Sequence, residues 1–392
     1  MAVSTTASPP SARVYYLDWL RVLAMIGVFL FHNARFYDAF SDWHIKNATT
    51  NFGATIFVAF MSPWMMPLFF LIAGAGTYYA LSNRGAGQFI RERTLRILIP
   101  LIFGMLVIVV PQAYYQALFR GELTSGYNLF QIYGLYLTTL PEFNMFHLWF
   151  LMYLFVFSIV TVPIFVGGAR NVVSRVAAAF DRPWALVLLL VLPLAAADAF
   201  LSQDGFWGSR MLSGGWSIVA YVQFFVFGYL IFANDRIMIW IKKISWCALV
   251  AALVTAGILL AVFLDQLVDP SKWFGSPIYV AAQSVQAMNT WCFLLAILGL
   301  GSRFLNRSNS FMTYANEAVL PFYILHQTVI ISIGYYVVPT GLPVIVKYPI
   351  VALSSFAAIM LIYEVLVRRL GFLRFLFGMR VKRRAEPARA VA

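Results

Sequence analysis

The apolar positions of this 392-residue chain fall in long unbroken runs separated by short polar segments. Runs of about 20 residues match an α-helix crossing the ~30 Å hydrocarbon core of a bilayer. The pattern predicts ten such helices, over 15–36, 54–81, 95–118, 145–166, 184–201, 215–233, 244–265, 278–300, 316–338 and 347–367. Period-two alternation, the mark of a membrane β-barrel, is absent. The expected fold is all-α and polytopic, with ten transmembrane helices and no separate soluble domain. A tail over 1–13 precedes the transmembrane unit of 14–367, and a basic tail over 368–392 follows it. The first apolar run carries Asp18 and Arg21 and no cleavage site, so it is expected to stay in place as a span rather than act as a secretory leader.

Composition sharpens this picture. Hydrophobic residues make up 62% and charged residues 11%, against roughly 25% charged in a soluble domain. A soluble enzyme, a disordered protein and a coiled coil are excluded on that ground. Cys247 and Cys292 both lie in apolar runs, too few for a disulfide framework or a usual zinc site. The net charge of +13 does not point to nucleic acid, because the basic residues sit in short loops between spans. One alternating set of segments holds 21 Lys and Arg, and the other set holds five: Lys46, Arg120, Arg210, Lys272 and Lys347. That asymmetry predicts both termini in the cytoplasm, and an even span count agrees. The aromatic outer loop of 119–144 is expected to lie along the interface, and the tail from Arg368 to be a lipid-facing anchor. No internal repeat marks a transporter built of inverted halves.

Ionisable residues inside a span are costly and need a partner, a cavity or a function. The first span holds Asp18, Arg21 and His32. Eleven residues at 100° each bring His32 within 20° of Arg21, about 16 Å along the axis, and Asp18 sits one turn before Arg21. The bland alternative is a salt bridge plus a core histidine, but three aligned polar groups suggest a lined cavity. The segment Arg91-Glu92-Arg93-Thr94-Leu95-Arg96 opens the third span. Arg93 and Arg96, three apart on a helix, are expected to project together, and paired guanidinium forks suit phosphate oxygens. His147 and Trp149 begin the fourth span, where belt residues are common. Glu317 and His326 share the ninth span with Pro321 between them. Asp42, Trp43, His44 and Lys46 occupy the first outer loop, beside the mouth beneath which His32 would lie.

Other features carry less. Gly74-Ala75-Gly76 is no phosphate loop, since it lies in an apolar span where small residues permit close helix packing. No carboxylate pair suits glycoside hydrolysis, and no spacing demands a metal.

Leu17-Asp18-Trp19-Leu20-Arg21, with His32 eleven residues after the arginine, resembles the opening of the acyltransferase-3 family of integral membrane acyltransferases. The resemblance runs through Phe69-Phe70-Leu71-Ile72-Ala73-Gly74, Arg93-Thr94-Leu95-Arg96, His147-Leu148-Trp149-Phe150-Leu151 and Phe322-Tyr323-Ile324-Leu325-His326. Ala73 departs from it, since the family often has serine there. Trp43-His44 and the ending Tyr363-Glu364 to Phe375-Leu376-Phe377 carry a finer likeness to members associated with succinylating periplasmic glucans.

The resemblance implies a bacterial inner-membrane enzyme. It would move an acetyl or succinyl group from cytoplasmic acyl-coenzyme A to a hydroxyl of an extracytoplasmic acceptor, a glycan. In that scheme His32, Arg21, Asp18, Glu317 and His326 are the catalytic candidates. His32 is the base, or the carrier of an acyl-enzyme. Arg93, Arg96 and Arg91 meet the coenzyme, and His147, Trp149 and His44 meet the acceptor; no metal is expected. The competing readings are a transporter or flippase for a sugar or lipid-linked sugar, using the same polar path, and a non-catalytic membrane subunit.

Overall fold

The computed structural model describes residues 14–40, 43–123, 126–138, 145–166, 183–201, 216–264 and 276–380. Among them every regular element is helical. Of the residues singled out in the sequence, Asp42, Arg210 and Lys272, the basic residues Arg13, Arg170, Arg175 and Arg182 of the larger set, and the tail beyond Arg380 lie outside the described residues.

The chain opens with α1 (Tyr15–Ala34), α2 (Phe52–Met61) and α3 (Met65–Ser82). The third span is built from α4 (Ala86–Arg93), α5 (Ile99–Phe103) and α6 (Val110–Phe119), joined by π-helical turns at Thr94–Leu98 and Gly104–Ile108. Then come α7 (Leu129–Thr138), α8 (Trp149–Val160), α9 (Val162–Val166), α10 (Pro183–Phe200) and α11 (Ile218–Ala233). The long α12 (Asp235–Leu264), α13 (Pro277–Phe304), α14 (Ser310–Val337) and α15 (Val344–Ile362) follow. A last π turn, Tyr363–Val367, leads to the short α16 (Gly371–Leu376). By length and composition, seven of the described helical segments are able to cross a membrane. Three shorter apolar helices, Phe146–Val160, Leu190–Phe200 and Ile218–Ala233, fall on the remaining three spans read from the sequence.

The distribution of polarity is the reverse of a soluble protein. Leu23, Ile26, Val250, Leu253, Val254, Leu353 and Leu361 face outward, while Asp38, Gln112, His147, Asn289, His326 and Gln327 are buried. So much exposed apolar surface requires lipid around it. Inside the bundle, close backbone approach replaces the hydrophobic drive that lipid removes. Gly74 on α3 and Gly228 on α11 show this. A Cβ on Gly74 would stand 1.9 Å from the Phe225 carbonyl oxygen, and one on Gly228 2.1 Å from that of Leu71. The expected small-residue packing is thus realised at Gly74, whereas Gly76 has open space beside it.

Contacts between α1 and α14 fix the frame of the site. Arg21 reaches Asn316, Phe29 packs edge-on against Phe322, and His32 meets His326. The two helices therefore run side by side in the same direction. Their early residues form an arginine end of the bundle, and their later residues form a histidine end.

A candidate acyl-transfer site between an arginine end and a histidine end

The chain has four histidines, and the fold gathers all four. The His32 and His326 rings lie 5.0 Å apart, and His147 stands edge-on to His326 at 4.9 Å. His44 contacts Gln327, the residue after His326, and the Trp43 ring lies between His44 and His32, nearly parallel to His32 at 6.0 Å.

Hydrogen bonding fixes the proton positions. His326 Nδ1 faces the Tyr323 carbonyl at 2.5 Å, and a carbonyl only accepts, so Nδ1 carries the hydrogen. In the neutral ring, Nε2 of His326 must then accept. Its partner is His32 Nδ1 at 2.9 Å, which therefore donates. The Nε2 lone pair of His32 is left available at the far edge of the ring. The order carbonyl, imidazole, imidazole repeats the logic of a base oriented by a second group.

His147 is held in the same way, its Nε2 donating to the Ile324 carbonyl at 3.1 Å, and its Nδ1 is buried with no partner among the described residues. Tyr323 in turn donates its hydroxyl to the His147 carbonyl. Phe146, just before His147, has a φ of +45°, a left-handed backbone that L residues adopt at a cost.

The described residues of the loop after α1 cap this cluster. Its anchor is Asp38, buried and bound by Arg35 at 3.0 Å, by Lys46 at 2.9 Å and by the Phe40 amide at 2.7 Å. The buried Lys347 ammonium of α15 ties to the loop through Asn47 at 2.8 Å and to the end of α14 through the Val338 carbonyl at 2.7 Å. His44 donates Nδ1–H to Gln116 Oε1, and its Nε2 accepts from Gln327 at 2.7 Å and Gln112 at 3.3 Å. Burial holds His44 down to about 4, further lowered by Arg120 and Arg35 and partly opposed by the Gln116 bond. It stays a neutral ring.

At the other end, Arg21 bonds Asn316 at 3.1 Å and pairs with Asp18 at 3.6 Å. Arg93 stacks over Phe89 and reaches Thr77, and it lies within electrostatic range of Arg21, Arg96 and Arg84. Arg84 itself is neutralised by Glu92 at 2.7 Å. The expected α-helical alignment of Arg93 with Arg96 is replaced by a π turn starting at Thr94. The wider turn rotates Arg96 further from Arg93 than i, i+3 on an α-helix would. Arg91 is exposed, two residues from Arg93 and so on the opposite side of α4.

Two candidates read from the sequence lie outside the histidine cluster. Glu317 is nine residues from His326, about 13 Å along α14, and it is bound to Arg374 of α16 at 2.7 Å. It belongs to the arginine end. Trp149 packs among Phe70, Phe150, Tyr153 and Tyr221, the aromatic layer between α8, α3 and α11. The tail after Arg368 is also not simply lipid-facing, since Arg374 and Phe377 are buried against the bundle. Sequence reasoning missed Gln112, Gln116, Asn316 and Gln327, although a polar side chain inside an apolar run is itself a signal.

The acyltransferase domain model Acyl_transf_3 matches residues 14–364. The chain is 25% identical over 399 aligned residues, covering 98% of it and 100% of the relative, to Glucans biosynthesis protein C of Salmonella heidelberg. The proteins of that name from Salmonella paratyphi B and Salmonella enteritidis match at the same identity and coverage. No solved structure matches the chain. With the family model spanning both the arginine end and the histidine end of the bundle, the chain belongs to the acyltransferase-3 family and is a membrane O-acyltransferase.

Proposed function

We propose that the enzyme passes an acetyl or succinyl group from cytoplasmic acyl-coenzyme A to a hydroxyl of a glycan on the far side of the bacterial inner membrane. The observation that carries this reading is the pairing of two unlike chemistries on one helix. Arg21 sits at the arginine end of α1, and His32 stands eleven residues on in the histidine cluster, about 16 Å away. Phosphates cannot enter hydrocarbon, so the coenzyme's nucleotide would stay at the arginine end with Arg93 and Arg96. Only the slender pantetheine arm needs to reach inward, and its length is comparable to that separation. The excess of basic residues on the arginine-end loops makes that end, and both termini, cytoplasmic in this reading. The glycan acceptor is supported by the name of the Salmonella relatives.

In the reaction, the acceptor oxygen attacks the thioester carbonyl carbon while its proton passes to the His32 Nε2 lone pair. The carbon–sulfur bond breaks, the ester forms, and the proton on His32 returns to the departing thiolate, giving the free coenzyme thiol. The charge that appears on His32 during the step is shared through its Nδ1–H with His326 and the Tyr323 carbonyl. His147, His44 and Trp43 line the side from which the acceptor would come.

Mass spectrometry of envelope glycans from cells with and without the protein tests the proposal. A mass gain of one acyl group per modified site, dependent on the protein, is expected. Identical glycan masses in both strains would overturn the glycan acceptor. A periplasm-dependent reporter fused after Ala392 should stay silent, and an active one would reverse the orientation.

A further inference from the structure

The tail after Arg368 carries a construction that the acyl-transfer reading does not use. Arg374, only 5% exposed, is held by three partners. Its Nη2 donates to Glu317 Oε1 at 2.7 Å and to the Arg380 carbonyl at 2.8 Å. Its Nε also reaches the Arg380 carbonyl, at 3.2 Å, and its Nη1 reaches the Arg368 carbonyl, at 3.3 Å. One buried guanidinium thus staples both ends of the segment 368–380 to α14. The segment then presses on the third span. Phe377 packs edge-on against Phe103. Gly378 has a φ of +70°, and a Cβ there would stand 2.7 Å from the Arg96 carbonyl and 2.9 Å from Pro100. Only glycine fits that crossing.

The consequence is electrostatic. The next described residue but one, Arg380, is delivered beside Arg96, near enough for their charges to oppose each other. Among the described residues no carboxylate forms an ion pair with Arg93, Arg96 or Arg380. Glu92, Asp18, Glu364 and Glu317 are all engaged by other arginines. The one acid whose charge reaches Arg93 and Arg96, Glu92, is ion-paired with Arg84, so arginines outnumber it and the remaining repulsion is left for an anion to relieve.

We propose that residues 371–380 form a fixed wall of the donor site. Arg380 joins Arg93 and Arg96 in holding the phosphates of coenzyme A, and the Arg374–Glu317 ion pair positions it. The proposal rests on the acyl-coenzyme A donor reading above.

The test is calorimetric titration of coenzyme A into the purified full-length protein in a neutral detergent. Arg380→Ala should weaken binding about five- to tenfold, the worth of one charge-assisted contact. Glu317→Gln should weaken it too. That result discriminates, because removing an acid from an anion site would by charge alone tighten binding; only loss of the staple weakens it. The exchange Glu317→Arg with Arg374→Glu should restore part of the affinity. Unchanged binding in Arg380→Ala, or equal or tighter binding in a folded Glu317→Gln protein, overturns the wall. If short-chain phosphatidylglycerol erases the difference between wild type and Arg380→Ala, the tail reads lipid headgroups and the proposal falls. Loss of binding in Arg93→Ala with Arg96→Ala, but none in Glu317→Gln, would sink the tail's role while sparing the donor site. No binding by wild type would remove both.

Discussion

His32 donates its Nδ1 hydrogen to Nε2 of His326 across 2.9 Å, from the first described helix to one almost 300 residues later. The bond orients the His32 ring and fixes which of its nitrogens is free. His326→Leu removes the acceptor, so His32 loses both its tautomer and its orientation. Turnover should fall roughly 10²-fold or more, as when the orienting member of a base pair is lost, and the KM for acyl-coenzyme A should stay unchanged. His326→Gln, which keeps an acceptor oxygen, should recover part of the rate. A leucine variant with wild-type turnover and an unaltered pH–rate profile would show that the bond has no part in catalysis.

His32 itself should be less forgiving. His32→Ala removes the base, and acyl transfer should fall about 10²–10⁴-fold, or further if the ring carries the acyl group. Coenzyme binding should persist, since its phosphates would sit about three helical turns away. A structural histidine would instead lower thermal stability by about 1 kcal/mol while transfer continued. Turnover, coenzyme titration and melting on one variant separate the two outcomes.

Much of this was legible in the sequence, and for identifiable reasons. Helix spacing alone placed Arg21 and His32 on one face, because a periodic helix converts residue number into direction. The family resemblance read from Leu17 to Arg21 and from Arg93 to Arg96 is shown by the family match, which also decides for an enzyme over a transporter. Convergence was not legible. His44, His147 and His326 come from a loop and two distant helices, and no spacing rule joins them. Glu317 and His326 share one apolar run about thirteen ångströms apart along the helix axis, but nothing in the sequence joins Glu317 to its partner Arg374, 57 residues on. The π turn at Thr94–Leu98, which widens the step from Arg93 to Arg96, has no signature in the residues it contains.

The two glycines of Gly74-Ala75-Gly76 should behave oppositely. At Gly74 the obstacle is backbone, the Phe225 carbonyl oxygen 1.9 Å from the new Cβ, and backbone cannot swing aside as a side chain can. Gly74→Ala must push α3 and α11 apart, at a cost of about 1–3 kcal/mol. At Gly76 nothing lies within 4 Å, so Gly76→Ala should leave the melting temperature unchanged or raise it slightly, because alanine is the better helix former. Thermal melts of the two variants in one detergent make the comparison. Equal melting temperatures would show that the α3–α11 contact yields more easily than its geometry implies.

The last prediction concerns pH and His44. Its ring is neutral in the fold, with a value near 4, whereas in an unfolded chain a histidine titrates near ~6.5. As pH falls from about 6.5 to 4, the unfolded chain therefore binds the proton first, and stability must decline across that window. The loss is up to roughly 3 kcal/mol for this one group, complete near the lower limit. The cause is visible in the partners. Gln327 and Gln112 both aim amide hydrogens at Nε2, so a proton there meets two donors, and Arg35 and Arg120 oppose the added charge. His44→Gln removes the titration. The variant should start less stable at pH 7 but lose less between pH 6.5 and 4 than wild type does, the difference in slope belonging to His44 whatever the other three histidines contribute. Melting curves of both proteins at half-unit pH steps measure it, and parallel slopes would mean that the fold does not hold His44 below its unfolded value.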